Sequence, residues 1–185
     1  IATAAAALLA GAAEAKTLTV TPGGDAQEKL QTALLDAKPG DTVSIAAGRY
    51  ELTDGLSLDI AGVTVKGAGP DATILSFTGQ KSSGEGFLVT SNKVTVRDLA
   101  VEDSKGDGIK SKGVDQISFV NLRVSWSGGP KETNGAYGVY PVSSTNVLID
   151  KVTVNGASDA GIYVGQSKNI VVKNSRAEFN VAGIE

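Results

Sequence analysis

The most constraining feature of this sequence is a repeat of short segments that each begin with glycine. They lie at residues 108–110, 138–140, 161–163 and 183–185, and the first three are each followed by an alternating apolar pair: Ile117/Phe119, Val147/Ile149 and Ile170/Val172. The first members of these pairs are 30 and 23 residues apart, and Val94 lies 23 residues before Ile117. A third apolar pair follows a few residues later: Leu122/Val124, Val152/Val154 and, more weakly, Ser175/Ala177. A period near 23 residues with three short strands is typical of one coil of a parallel β-helix.

We therefore predict an all-β fold, a right-handed parallel β-helix, because parallel crossover connections are overwhelmingly right-handed. In each coil the first strand follows the leading glycine, and the second and third strands hold the two apolar pairs. Alternation along each strand predicts eight buried side chains: Val147, Ile149, Val152, Val154, Ile162, Val164, Ile170 and Val172. A further column aligns at the bend between the second and third strands, where asparagine tolerates left-handed backbone angles: Asp98, Asn121, Lys151 and Asn174. We interpret that column as structural.

The N-terminal half predicts a helix over residues 25–38 that caps the end of the solenoid. Asp25-Ala-Gln-Glu28 has the spacing of a capping box, and Pro39-Gly40 ends the pattern. Between them an apolar helical stripe runs through Ala26, Leu30, Ala33, Leu34 and Ala37. The chain then changes to short strands, predicted at Thr42–Ile45, Tyr50–Leu52, Leu56–Ile60, Val63–Val65, Thr73–Phe77 and Gly86–Thr90, after a first strand at Thr17–Val20.

The chain organisation predicts one domain, residues 16–185, behind a partial signal peptide at residues 1–15. That segment is alanine-rich and ends in the small-x-small pattern Ala13-Glu14-Ala15, and an ordinary alanine-rich helix is the alternative. It is short for a membrane span, so we expect a secreted or periplasmic protein with no stable span in its mature form. The chain stops just after Gly183 opens a strand, from which we expect further C-terminal coils that this sequence lacks.

Composition excludes several kinds of chemistry. The sequence has no histidine and no cysteine, which removes thiol nucleophiles, Ser-His-Asp triads and ordinary zinc sites. A bound metal would need oxygen ligands, which makes calcium the ion to expect. Acid–base chemistry would depend on Lys, Arg, Tyr, Asp or Glu. The net charge of −3 lacks the basic footprint of a nucleic-acid partner.

Several runs of sequence resemble those of exported bacterial right-handed parallel β-helix repeat proteins, the pectin-lyase-like superfamily. The runs are Lys38–Val43, Ala47–Tyr50, Val65–Gly69, Ala136–Val142, Gly156–Ser167 and Asn180–Glu185. The resemblance implies the β-helix fold and a polysaccharide partner. Members of this superfamily include lyases, hydrolases, uronate epimerases and proteins with no known chemistry. The Asn-Thr-Asp, Asp-Asp and His-Gly motifs of polygalacturonase-like hydrolases are absent here.

One coil is seven residues longer than its neighbours, and the extra residues fall in Ser127–Ala136. In lyases of the superfamily, loops at this corner form the walls of a groove over the first-strand sheet. On that sheet the outward residues are predicted to form the column Lys110, Tyr140, Tyr163 and Glu185. With the loop residues Trp126, Lys131, Asn134 and Tyr137 they would make a substrate-binding platform on which sugars stack. The alternatives are a neutral insertion and a tyrosine ladder that only stabilises the sheet.

Two functions from different classes fit this surface. The first is modification of an acidic polysaccharide by β-elimination or C5-epimerisation, which needs a base and a cation to stabilise the enolate-like charge. Lys110 is the candidate base if its pKa is lowered, Tyr140 and Tyr163 are candidate proton shuttles, and Asp107 and Asp159 are candidate calcium ligands, unless they only shape turns. The second function is non-catalytic: glycan binding or a cell-envelope scaffold.

Overall fold

The computed structural model describes residues 14–82 and 84–185 and shows a parallel β-helix. Its one described helix is α1, Ala26–Asp36. The strands are β1 Thr17–Val20, β2 Thr42–Ile45, β3 Gly48–Glu51, β4 Leu56–Leu58, β5 Thr64–Lys66, β6 Thr73–Ser76, β7 Phe87–Val89, β8 Val94–Glu102, β9 Ile109–Lys112, β10 Asp115–Ser125, β11 Val139–Val142, β12 Thr145–Asn155, β13 Ala160–Ile162, β14 Lys168–Lys173, β15 Arg176–Glu178 and β16 Ala182–Ile184. The strands predicted between residues 17 and 90 agree with these bounds to within two residues.

The strands form two parallel sheets that wind around one core. A six-stranded sheet has the order β4-β7-β9-β11-β13-β16 and contains the first strand of each coil. The other sheet follows the path β1-β2-β5-β8-β10-β12-β14, with β3, β6 and β15 beside it. Ile117 pairs with Val94 on one side and with Val147 on the other, so that one sequence repeat is one coil. The predicted register is confirmed.

The second and third strands of a coil run on as one bent strand. Asp98, Asn121 and Lys151 lie inside β8, β10 and β12 with φ of 57°, 52° and 56°, which turns the chain at the predicted column without ending the strand. The amide of Asn121 donates to Asp98 Oδ1 across the coils, at 2.7 Å. A second left-handed column, which the sequence did not reveal, lies at the start of the second strands, at Lys93, Gln116, Asn146 and Asn169.

Helix α1 covers the first coil as predicted. Leu30 and Leu34 are fully buried, and Leu35 on the opposite face is exposed. The predicted capping box is wrong, because the Asp25 side chain makes no hydrogen bond to the helix backbone. It pairs instead with Lys29 Nζ at 3.0 Å, one turn into the helix.

The predicted core is confirmed, and its side chains become less buried toward the C-terminal end. Five of the eight residues predicted to be buried are fully so, whereas Val164, Ile170 and Val172 are half-buried and pack against the core. Ile170 and Val172 lie on β14, which pairs with β12 alone among the described strands. The predicted signal segment lies outside the described residues apart from Glu14 and Ala15. No helix in the described part of the chain is long and apolar enough to cross a membrane.

Candidate functional site: a tyrosine cluster on the first-strand sheet

The predicted outward column on the six-stranded sheet exists. Tyr140 is the direct neighbour of Lys110 in the parallel pairing of β11 with β9. Val139 pairs with Ile162, and Ile162 pairs with Ile184, so Tyr163 and Glu185 continue the column on the next two coils. Because alternate residues of these strands face the core, the column faces outward on one side of the solenoid.

Three tyrosines gather at this column and form what we call the tyrosine cluster: Tyr137, Tyr140 and Tyr163. The ring centroids of Tyr137 and Tyr163 are 4.7 Å apart with an interplanar angle of 16°, a stacked pair. Tyr140 is tilted against both, with centroids at 4.7 Å and 5.3 Å. All three side chains are half-buried, so the cluster combines mutual packing with an accessible surface.

Lys110 lies at the edge of the cluster, where it forms ion pairs with two carboxylates. Its Nζ is 2.9 Å from Glu85 Oε1 and 3.0 Å from Asp107 Oδ2, and it lies 5.0 Å from the centroid of the Tyr140 ring. Burial alone would lower the pKa of Lys110, but the hydrogen bonds to the two carboxylates outweigh it and raise the pKa. The direction of this shift does not favour the predicted role of Lys110 as a general base, because that role requires a lowered pKa.

Asp107 is a buried structural partner of both the cluster and the lysine. Its side chain accepts a hydrogen bond from the backbone N–H of Tyr137 at Oδ1 and one from Lys110 Nζ at Oδ2. Burial raises the pKa of Asp107, and the bond to Lys110 partly opposes the rise. Asp159 lies beside Tyr137: burial first, and then the charge of Asp159, raise the pKa of the Tyr137 hydroxyl.

Neither carboxylate belongs to a preformed metal cluster. Within the described residues, no group of three or more Asp, Glu, His or Cys side chains could together hold an ion. Asp107 would also have to give up its lysine to bind one. Calcium binding by Asp107 and Asp159 stays a prediction.

The insertion at residues 127–136 leads directly into the cluster, and its base is rigidly held. Trp126 was predicted to offer its ring to a sugar, and that prediction is wrong. Its side chain is 4% exposed in the core, and its Nε1–H donates to the carbonyl of Ser104 at 2.6 Å. Asp103 accepts hydrogen bonds from the backbone N–H and the hydroxyl of Ser127. The tryptophan thus anchors the insertion with its ring buried.

Asn134 has a similar anchoring role. Its amide nitrogen donates to the carbonyls of Gly129 and Gly156, at 3.0 Å and 2.6 Å, which ties the insertion to itself and to the next coil. Its side-chain donor is committed within the protein, contrary to the predicted ligand-facing tip. Lys131 and its neighbours at the tip are exposed, as the binding hypothesis needs.

Two residues of the site were missed by reasoning from the sequence. Glu85 precedes the leading Gly86 in the way that Asp107 precedes Gly108 and Tyr137 precedes Gly138, so extending the repeat one coil toward the N-terminus would have placed it beside Asp107. Gly165 underlies the rings: a Cβ there would lie 2.8 Å from Tyr163 and 3.0 Å from Tyr140. A side chain at this position would displace the cluster.

The sequence places the chain in a family. The family described as "Right handed beta helix region" matches residues 61–185, more than half of the chain, so the protein belongs to the right-handed β-helix family. No curated protein matches the chain in sequence.

Solved structures share the fold at low sequence identity. An alginate lyase from Paenibacillus sp. str. FPU-7 is 17% identical with a TM-score of 0.62, over 86% of this chain and 65% of the lyase. The family 28 exopolygalacturonase of Yersinia enterocolitica is 13% identical with a TM-score of 0.55, over 93% and 49%. The catalytic domain of a GH87 alpha-1,3-glucanase in complex with tetrasaccharides is 20% identical with a TM-score of 0.54, over 92% and 34%. The chain therefore spans between about a third and two thirds of these structures, and the likeness shows the fold.

Proposed function

We propose that this protein binds a polysaccharide at the tyrosine cluster. The observation that carries the proposal is the packing of three half-buried tyrosines beside one outward column, next to an insertion whose base is held by Trp126 and Asn134. Aromatic rings with polar tips suit sugars, which have apolar faces and hydroxyl edges. Preorganised rings lose little conformational entropy when a ligand docks. The likeness to an alginate lyase, an exopolygalacturonase and a glucanase supports a glycan ligand.

Single tyrosine substitutions test this proposal. Tyr140→Ala and Tyr163→Ala should each weaken oligosaccharide binding by about 1–3 kcal/mol, the value of losing an aromatic contact surface. Isothermal titration of the chain with hexasaccharides measures the change. Phe179→Ala is the matched control, because Phe179 is an aromatic residue that is 78% exposed and lies outside the cluster. Equal losses in all three variants would contradict the proposed site.

The second candidate function is modification of an acidic polysaccharide by β-elimination or C5-epimerisation. It is supported by the likeness to a lyase and an exopolygalacturonase, and by the protonated Lys110 beside the Tyr140 ring. Because the pKa of Lys110 is raised, the base would be the phenolate of Tyr140 or Tyr163, which takes the C5 proton and becomes a neutral hydroxyl. In elimination the C4–O bond then breaks and the leaving oxygen takes a proton from solvent. Calcium held by Asp107 and Asp159 would be the cation that stabilises the enolate-like charge.

Ultraviolet absorbance during digestion of alginate or pectate tests the elimination reaction, because elimination creates unsaturated sugar ends. Tyr140→Phe and Tyr163→Phe should retain the fold while one of them abolishes the signal, and a chelator should abolish it if calcium takes part. Epimerisation would instead change the ratio of uronate isomers without cleavage. Binding without either change would favour a non-catalytic glycan-binding or envelope scaffold protein.

We further propose that the protein is exported and meets its ligand outside the cytoplasm. The small-x-small pattern that ends at Ala15 supports this. Fusion of residues 1–15, behind a basic start, to a reporter enzyme that is active only after export would test it. Loss of export after Ala13→Asp and Ala15→Asp is the expected result.

A further inference from the structure

The tyrosine cluster has more acidic than basic side chains around it. Four carboxylates surround it: Glu85, Asp107, Asp159 and Glu185. Asp107 contacts the backbone of Tyr137, Asp159 acts on the Tyr137 hydroxyl, and Glu185 follows Tyr163 in the outward column. Glu85 joins through Lys110. Acceptor oxygens of this kind match the hydroxyl donors of a sugar, and they repel another carboxylate.

The cations of this face do not compensate for those acids. Lys110 is shared between Glu85 and Asp107, and its side chain is 21% exposed, so a ligand carboxylate would have to displace an internal partner. Lys112, two residues along β9, is exposed and contributes a positive charge near Glu85. The strands of the six-stranded sheet carry no other lysine or arginine in the described part of the chain. The insertion adds Lys131 and Glu132, both exposed, whose charges offset each other. Two lysines of the sheet thus face four carboxylates.

We infer that the tyrosine cluster accepts an uncharged glycan and discriminates against uronate polymers. The inference rests on the proposed binding function. It favours binding of an uncharged glycan over the second candidate function, modification of an acidic polysaccharide. The contact area of the rings does not depend on ligand charge. The surrounding carboxylates repel a negatively charged ligand and therefore favour an uncharged one. Asp159 is the specificity-determining residue to test, because its backbone N–H donates to the carbonyl of Ala136, next to Tyr137, at 3.1 Å. Its side chain forms no ion pair with any other described residue.

A comparison of matched hexasaccharides tests the inference. The probes are cellohexaose and xylohexaose against hexagalacturonate and hexamannuronate, titrated into the whole chain. At low ionic strength the better neutral probe should bind about tenfold or more tightly than either uronate, and the ratio should shrink in about 0.5 M salt, where charges are screened. Asp159→Asn should lower the neutral-to-uronate ratio about threefold or more. Glu28→Gln, the same loss of charge on the exposed face of α1, should leave the ratio unchanged.

The outcomes separate the inference from the proposed function. Uronate binding that equals or exceeds neutral binding, and is lost in Tyr163→Ala, would overturn the inference while the binding site stands. The inference would also be overturned if Asp159→Asn and Glu28→Gln had the same effect. Binding of none of the four probes, or binding unaffected by Tyr140→Ala and Tyr163→Ala, would contradict the proposed function and the inference with it.

Discussion

At the scale of single residues, the leading glycines are needed for packing between the strands of a coil. A Cβ on Gly108 would lie 2.7 Å from the carbonyl oxygen of Gly138 on the next coil, and it would overlap a methyl group of Val124 on the third strand. Gly138 stands in the same relation to Gly161 and Val154. Glycine thus recurs in the sequence because the corner of the solenoid has no room for a side chain at this position.

Gly138→Ala should therefore destabilise the protein by about 1–3 kcal/mol or more, since the clashing atoms are backbone and core rather than a flexible surface side chain. Urea unfolding followed by circular dichroism measures the loss. Gly84→Ala is the control, because a Cβ there would meet nothing within 4 Å. A Gly138 variant as stable as the Gly84 variant would show that the corner can relax.

At the scale of elements, α1 holds the N-terminal end of the solenoid by one face. Leu34→Ala should cost about 2–5 kcal/mol, because the side chain is 2% exposed and its removal leaves a cavity against the first coil. Leu35→Ala, next to it but 64% exposed, should change stability by less than about 0.5 kcal/mol. Similar unfolding midpoints for the two variants would contradict the packing of the cap.

The third strands are joined from coil to coil by ion pairs. Glu102 on β8 accepts from Arg49 on β3 at 2.6 Å and from Arg123 on β10 at 2.8 Å. Burial alone would raise the pKa of Glu102, but these two hydrogen bonds outweigh it and lower the pKa. One carboxylate therefore binds two arginines, from strands on either side of it.

Because its pKa is lower in the folded protein than in the unfolded chain, Glu102 stabilises the fold at neutral pH. That stabilisation is lost as the pH falls through the folded pKa. Glu102→Gln should reduce the free energy of unfolding by about 1–3 kcal/mol at pH 7, and the difference from wild type should shrink below about pH 4.5. Thermal unfolding across pH measures it. Glu51→Gln should show a smaller effect, because Glu51 is more exposed and, among the described residues, pairs only with Arg49.

At the scale of the whole molecule, the two ends of the described solenoid differ. The N-terminal end is covered by α1, whereas the last coil exposes apolar side chains and strand edges. The exposed residues there are Val171, Phe179, Val181 and Ile184. Uncovered strand edges with apolar neighbours favour association between copies.

A polypeptide that consists of residues 1–185 alone should self-associate with rising concentration through that end. Sedimentation velocity over a range of concentrations should show it, and Phe179→Glu with Val181→Lys should reduce it by placing charge on the contact. The same charges placed at Leu35 and Thr32 on α1 serve as the control. A chain that stays monomeric throughout would contradict this expectation.

The sequence by itself determined the coil, since a 23-residue period, strand alternation and an amphipathic stripe are local patterns that each predict one kind of element. It also predicted the column of Lys110, Tyr140 and Tyr163, because residues in register on successive coils must be neighbours. The chemistry of that column was decided by the tertiary structure. Glu85 and Asp107 come from different coils to hold Lys110 protonated, and the carbonyl of Ser104, one coil back, draws Trp126 inward. Glu85 is 25 residues from Lys110 in the chain, and Ser104 is 22 residues from Trp126, yet both pairs are in contact in space. A local pattern does not contain such contacts, although they contribute to a pKa and to the burial of a side chain.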